Sequence, residues 1–346
     1  MTTGAITLAL DAMGGDAAPR MVIAGAERAL DAHPDVRYRI FGDRARVEPL
    51  LRARPRLRAV SELAHTADVV ADDAKPTAAL RQARGSSMRL AVDAVRAHDA
   101  DAAVSAGNTG ALMAMAKVLL RTLPGIDRPA IASVMPAAKR PVVILDLGAN
   151  AECDATNLVQ FALMGSVFAR TVLGVERPSV ALLNIGTEAL KGDDVVQQAA
   201  GRLRAGELPI RFEGFVEGTG LMAGSVDVVV TDGFTGNVAL KVAEGTARLI
   251  IDRFRDTLAD SWAAKLGVLL ARRSLGRLKS KLDPQRYNGA MFLGLGGVVV
   301  KSHGSADASG FANAINVAVD LVQGGANARI GEELAQYAHP VTGAAS

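Results

Sequence analysis

The sequence predicts an α/β protein in three layers, α/β/α, with a largely parallel sheet between helices. Short Val-, Ile- and Leu-rich runs alternate with longer Ala-rich segments of helical spacing. Hydrophobic residues make up 49% and charged residues 22% of 346, a globular balance with ample apolar material for a core. Six apolar runs pass straight into Gly and small polar residues and then into a helix, the pattern of strand–loop–helix units.

In chain order, strands are predicted at 5–11, 36–41, 102–105, 130–135, 141–147, 179–185, 226–231 and 297–301. Helices are predicted at 20–32, 86–98, 109–122, 155–173, 192–205, 236–258 and 306–323. With no internal repeat or linker, 1–346 reads as a single large α/β domain. A basic amphipathic helical hairpin is expected to protrude at 255–286.

The lone cysteine, Cys153, excludes an internal disulfide framework and fits a reducing cytoplasm. No export signal opens the sequence, and no run approaches the roughly 20 apolar residues that span a bilayer. A net charge of +3 gives no argument for nucleic acid as a partner.

The loops read "LDAMGGD" (10–16), "VSAGNTG" (104–110), "LDLGAN" (145–150), "LNIGTEALKG" (183–192), "VTDGFTGN" (230–237) and "VKSHGS" (300–305). Ligands of open α/β sheets bind beyond the carboxyl ends of strands, so the six loops are expected to converge on one cleft. A dinucleotide fingerprint, a GxxxxGK[ST] loop and a catalytic serine elbow are all missing, and no His/Cys cluster suggests zinc. Helix N-termini with Lys191, Lys301 and His303 favour a phosphate-sized anion.

In "AGNTGA", Gly107 and Gly110 would expose N–H groups, and Asn108 and Thr109 would add side-chain donors. Lys191 would neutralise phosphate or a developing oxyanion, with Asn237 donating to the same group. His303 could exchange a proton with a leaving group near neutral pH. Cys153, in the acidic context "NAECD", reads as a buried structural thiol. Asp11 and Asp16 flank Gly14 and Gly15, so this turn reads as a wall and organiser of the site rather than its anion cradle.

"DAMGGD", "KPTAALRQARGSSM", "SAGNTGA", "LDLGANAECD", "LNIGTEALKG", "DVVVTDGFTGNVALK" and "VVVKSHGSAD" occur in this order through nearly the whole chain. In them the sequence closely resembles the bacterial phosphate acyltransferase family of phospholipid synthesis, the acyl-ACP:phosphate transacylases (PlsX). The resemblance implies an isocitrate/isopropylmalate dehydrogenase-like fold, a homodimer and no cofactor or metal. It implies transfer of a long-chain acyl group from acyl carrier protein to inorganic phosphate, with direct phosphate attack on the thioester. The acyl phosphate would pass to a membrane glycerol-3-phosphate acyltransferase.

Carried over by motif, Lys191, Asn237 and His303 are the catalytic candidates. Gly14, Gly15, Gly107, Asn108, Thr109, Gly110, Asn150, Gly186, Thr187, Gly233, Thr235 and Gly236 are the substrate-binding candidates. The chain departs from the family pattern at Phe215, Thr219, Asn288, Met291 and Gly296, in two peripheral loops.

Segment 261–286 carries seven Lys or Arg against Asp283 alone, with Trp262, Leu266, Leu269 and Leu270 at helical spacing. Such a hairpin suits an anionic membrane surface, the dimer partner or the carrier protein. The expected location is cytoplasmic, peripheral on the inner face of the membrane. Two other readings share the fold or the lipid context. A decarboxylating dehydrogenase would need nicotinamide-binding residues and an Arg-rich carboxylate clamp, and a lipid-enzyme scaffold would not need Lys191.

Overall fold

The computed structural model describes residues 5–206, 210–259, 270–273 and 288–338. The chain begins with β1 (Thr7–Asp11), α1 (Arg20–Ala29), β2 (Arg37–Gly42), α2 (Arg44–Arg52), α3 (Pro55–Ala59) and β3 (Ser61–His65). It continues through α4 (Pro76–Gln82), α5 (Ser87–Arg96), β4 (Ala102–Ser105), α6 (Thr109–Leu120), β5 (Ala130–Met135) and β6 (Val142–Leu145). Next come α7 (Ala155–Leu173), β7 (Ser179–Leu183), α8 (Asp194–Arg204), β8 (Arg211–Val216), α9 (Gly218–Ala223) and β9 (Val228–Val230). The last described elements are α10 (Gly233–Ala259), the helical residues 270–273 (α11), β10 (Ala290–Leu293), β11 (Val298–Lys301), α12 (Ala308–Gln323) and α13 (Ala326–Ala338).

All eight predicted strands and all seven predicted helices are present, with ends shifted by a few residues. The sequence reading missed β3, β8 and β10. Polar, part-exposed β3 and β8 close the two edges of the sheet, where one side lacks a neighbouring strand and apolar alternation weakens. Four-residue β10 is fully buried only over Met291–Leu293, too short a run to register as a strand.

The eleven strands form one sheet in the order β3-β2-β1-β4-β11-β10-β5-β6-β9-β7-β8. Alternation along each strand feeds two cores. Leu8, Leu10, Val143 and Leu145 point into the core under α1, α7 and α12, whereas Ala9, Val142 and Ile144 face the core under α5 and α6. This is the expected α/β/α layering.

Direction corrects one expectation. The β11–β10, β10–β5 and β5–β6 pairings are antiparallel, and the others are parallel. Two parallel blocks therefore run in opposite senses. Loops after β1, β4 and β11 leave the sheet at one end of the strands, and loops after β6, β7 and β9 leave it at the opposite end. The six loops do not meet at a single end. Helix α10 links the two groups: it starts beyond β9 and packs Leu240 and Ala243 on the core shared with α5 and α6.

Candidate active site

Three adjacent parallel strands end in polar residues, Asp11 on β1, Ser105 on β4 and Lys301 on β11. Each stands two positions after a residue of the α5/α6 core, so pleating turns all three to that face. The Ser105 hydroxyl donates to Asp11 Oδ2 at 2.6 Å, and Ser87 at the start of α5 donates to Asp11 Oδ1 at 2.6 Å. Asp11 is 1% exposed and Lys301 is 9% exposed. The Lys301 ammonium donates to the carbonyls of Ala106 (3.3 Å) and Ser302. Burial pulls its pKa from 10.5 to about 8, against the opposing pull of Asp11, Asp72 and Asp16.

The glycines above this row serve backbone packing. A Cβ on Gly14 would stand 2.6 Å from both Asp11 Oδ2 and the Gly107 nitrogen. The Gly107 N–H is itself held by the Ser105 hydroxyl at 3.1 Å. Gly15 has φ +102°, and the next residue, Asp16, donates its N–H to the Gly304 carbonyl at 2.9 Å. The opening turn thus ties the β1, β4 and β11 loops together, in line with a wall. Asn108 caps α6 by accepting from the Ala111 N–H, and its amide donates to the Asp72 and Ala74 carbonyls. Its side-chain donors are thereby committed, while Thr109 and Gly110 are exposed at the start of the helix.

At the opposite end Asp146 organises the "LDLGAN" loop. Its carboxylate accepts from the N–H groups of Ile131, Gly148, Ala149 and Asn150 and from the Asn150 amide. Burial pushes its pKa up, and those donors pull it back down. The Asn150 amide also donates to the Pro129 carbonyl, so it too is committed to the loop. Buried Gly233 donates its N–H to the Asn150 carbonyl at 2.7 Å, and Gly236 packs on the Asp146 carbonyl.

Asp232 accepts from the Thr235 N–H and takes the capping role at α10. Asn237 is thereby left exposed against Gly148, with its amide unbonded among the described residues. Gly186 is buried against the Glu188 and Lys191 side chains, and Thr187 is exposed. Lys191 holds its loop through its backbone: its carbonyl accepts from the Asn184 and Gln197 amides. Its ammonium is exposed and makes no hydrogen bond or ion pair among the described residues.

Cys153 is half-buried, with Sγ 3.9 Å from the Asn150 carbonyl. Burial, then the charge of Asp146, pushes its thiol up to about 12. The thiol is thus half-buried rather than buried as expected, and its raised pKa suits a structural role. His303 accepts at Nδ1 from the Ser305 N–H, which leaves its proton on Nε2 when the ring is neutral. Loss of solvation is the main influence lowering its pKa, with Lys241 and Lys301 adding to it.

Lys241 connects the two ends. It lies eight residues into α10, about 12 Å along the helix, and its charge reaches both Lys301 and His303. Asn237, one turn earlier, shares its side of the helix. The Asp11–Ser87–Ser105–Lys301 cluster was missed as a unit by the sequence reading. Its signal was a polar residue closing each of three apolar strands.

The fold is an α/β/α architecture shared with solved phosphotransacetylases. A phosphotransacetylase from Streptococcus pyogenes superimposes with a TM-score of 0.62 at 16% identity, covering 93% of this chain and 95% of that one. A second, from Staphylococcus aureus, gives 0.57 at 16% identity and covers 92% and 94%. The chain belongs to the fatty acid synthesis protein family, which matches residues 6–329, and it is an acyltransferase. A protein of Rhodospirillum centenum named phosphate acyltransferase is 60% identical over 329 residues, 95% of this chain and 93% of the relative. One of the same name from Rhodospirillum rubrum is 56% identical over 334 residues, 96% of each.

Proposed function

We propose that this acyltransferase moves a long-chain acyl group from acyl carrier protein to inorganic phosphate for phospholipid synthesis. The identity to phosphate acyltransferases across 95% of the chain carries that reading. A phosphate oxygen attacks the thioester carbonyl, the C–S bond breaks, and acyl phosphate and free carrier thiol result. The high pKa of Cys153, the lone cysteine, favours direct attack over an acyl-cysteine intermediate. Lys191 and Asn237, exposed and uncommitted, are suited to offset phosphate charge and stabilise the tetrahedral oxyanion.

A homodimer is supported by the apolar surface of α10, where Phe234, Val238, Val242, Leu249, Ile250 and Phe254 are all exposed. The acyl phosphate would pass to a membrane glycerol-3-phosphate acyltransferase, which suits docking on an anionic membrane surface. Most of the segment 255–286, where a basic hairpin is expected, lies outside the described residues. Among the described residues no helix is long and apolar enough to cross a membrane.

The test combines purified protein, long-chain acyl carrier protein and phosphate. Phosphate-dependent thiol release and a hydroxylamine-trappable acyl phosphate are expected. Absence of thiol release overturns the proposal.

A further inference from the structure

We propose that Asn184 and Gln197 are positioning residues for this acyl transfer: their side-chain amides clamp the Lys191 carbonyl and thereby set where the Lys191 ammonium meets phosphate. The inference rests on the role given to Lys191 above and deepens it. Neither amide is assigned a contact with substrate; both act through Lys191.

Packing does not hold the Lys191 loop. Of residues 185–191 only Gly186 is buried, and the two large apolar residues, Ile185 and Leu190, are 84% and 94% exposed. Hydrogen bonds hold it instead. Asn184 follows the last residue of β7 and stays in the sheet, its N–H donating to the Val216 carbonyl of β8 at 2.9 Å. From that fixed point its Oδ1 accepts from the Ile185 N–H at 2.9 Å, and its Nδ2 donates to the Lys191 carbonyl at 2.9 Å. One amide thus joins the first and last residues of the loop. Gln197 on α8 donates to the same Lys191 carbonyl and to the Ala189 carbonyl, the latter at 3.0 Å. Asp193 fixes the start of that helix by accepting from the Val196 N–H at 2.8 Å. Gly192 leaves room for the clamp: its φ is +99°, and a Cβ there would stand 2.7 Å from Asn184 Oδ1.

The clamp stands at the end of the strands that carries both proposed catalytic groups. β7 and β9 are adjacent and parallel, with Leu182 level with Val230, so their loops leave side by side from strands about 4.8 Å apart. One loop carries Lys191, and the other opens α10 with Asn237. The Lys191 side chain lies against Gly186, its Cγ 3.0 Å from where a Cβ on that glycine would stand. With its carbonyl pinned and its stem against Gly186, the lysine has few directions left for its ammonium. A loop tied to β7 and α8 holds that geometry before substrate arrives, so less order has to be imposed in the transition state.

The test is a double-mutant cycle on the purified protein with long-chain acyl carrier protein and phosphate. Asn184→Ala is expected to lower kcat about 10-fold. In a Lys191→Met background the same change should lower it by less than about twofold, because the group it positions is gone. Asn184→Asp keeps the acceptor for Ile185 but sets a carboxylate oxygen against the Lys191 carbonyl, and should lose as much as Asn184→Ala. Gln197→Met, close in volume and within a regular helix, gives a second cycle with the same expectation if the Asn184 variants do not fold. A loss of about 10-fold that recurs in the Lys191→Met background overturns the inference and leaves Lys191 its role. Wild-type kcat in both Asn184→Ala and Gln197→Met does the same. Lys191→Met at wild-type turnover overturns the role of Lys191 and the positioning with it. A wild type that releases no thiol overturns the reaction itself.

Discussion

The Ser105 hydroxyl donates a hydrogen bond to Asp11 across neighbouring parallel strands at 2.6 Å, and Ser87 does the same from α5. The carboxylate accepts a third bond from the Met13 N–H at 3.2 Å. An amide in its place would turn an N–H₂ donor toward one of these donors and leave Lys301 without its buried counter-charge. Asp11→Asn should therefore cost about 3 kcal/mol of stability, measured by urea unfolding. A cost below 1 kcal/mol would contradict the network.

Gly236 occupies a position where any Cβ overlaps the Asp146 carbonyl oxygen and nears the Thr231 methyl. The first opponent is backbone of a loop fixed by five hydrogen bonds to the Asp146 carboxylate, so it cannot swing aside. Gly236→Ala should lose more than about 3 kcal/mol or displace the start of α10 and Asn237 with it. Thermal melting and turnover report the two outcomes. Gly245, on the same helix with open space around it, is the control: Gly245→Ala should be neutral or stabilising.

Lys301 makes stability depend on pH in a defined window. Its folded pKa of about 8 lies below the ordinary 10.5, so the unfolded chain binds more protons between these values. Stability contributed at this site therefore rises with pH across about 8 to 10.5, by up to roughly 3 kcal/mol, and the burial cost is fully present below 8. Urea midpoints of wild type minus Lys301→Met, taken at about pH 7.5 and about pH 10, should reveal that rise. A constant difference would contradict a depressed Lys301 pKa.

The layers, the strand–helix alternation and the loops bearing Lys191, Asn237 and His303 were legible because they are written in local periodicity and glycine placement. Strand direction was not. The three antiparallel pairings around β10 and β5 depend on long-range pairing, which no local pattern specifies, and they divide the six loops between the two ends of the strands. Asn108 read as a side-chain donor and Asn150 as a substrate-binding candidate, yet their amides are bound by carbonyls of segments distant along the chain. Asp11 was legible as an organiser, whereas its partners Ser87 and Ser105 required the strand register.

Cys153 tests the route of acyl transfer. Its thiol, pushed up to about 12, is protonated at neutral pH and faces the Asn150 carbonyl. Cys153→Ser should keep turnover within about threefold of wild type, since the step from thiol to hydroxyl removes no reacting group. Loss of all acyl phosphate formation in a folded Cys153→Ser protein would require an acyl-cysteine intermediate.

Lys191 separates catalysis from stability. Its ammonium is exposed and bonded to nothing among the described residues, and its loop is held by its backbone carbonyl. Lys191→Met leaves that carbonyl in place, so the unfolding midpoint should stay within about 0.5 kcal/mol of wild type. Removing a charge that stabilises the oxyanion should lower kcat about 100-fold. Asn237→Ala should behave alike, because Asp232 caps α10 in its stead. Full turnover in both variants would remove these two residues from the chemistry.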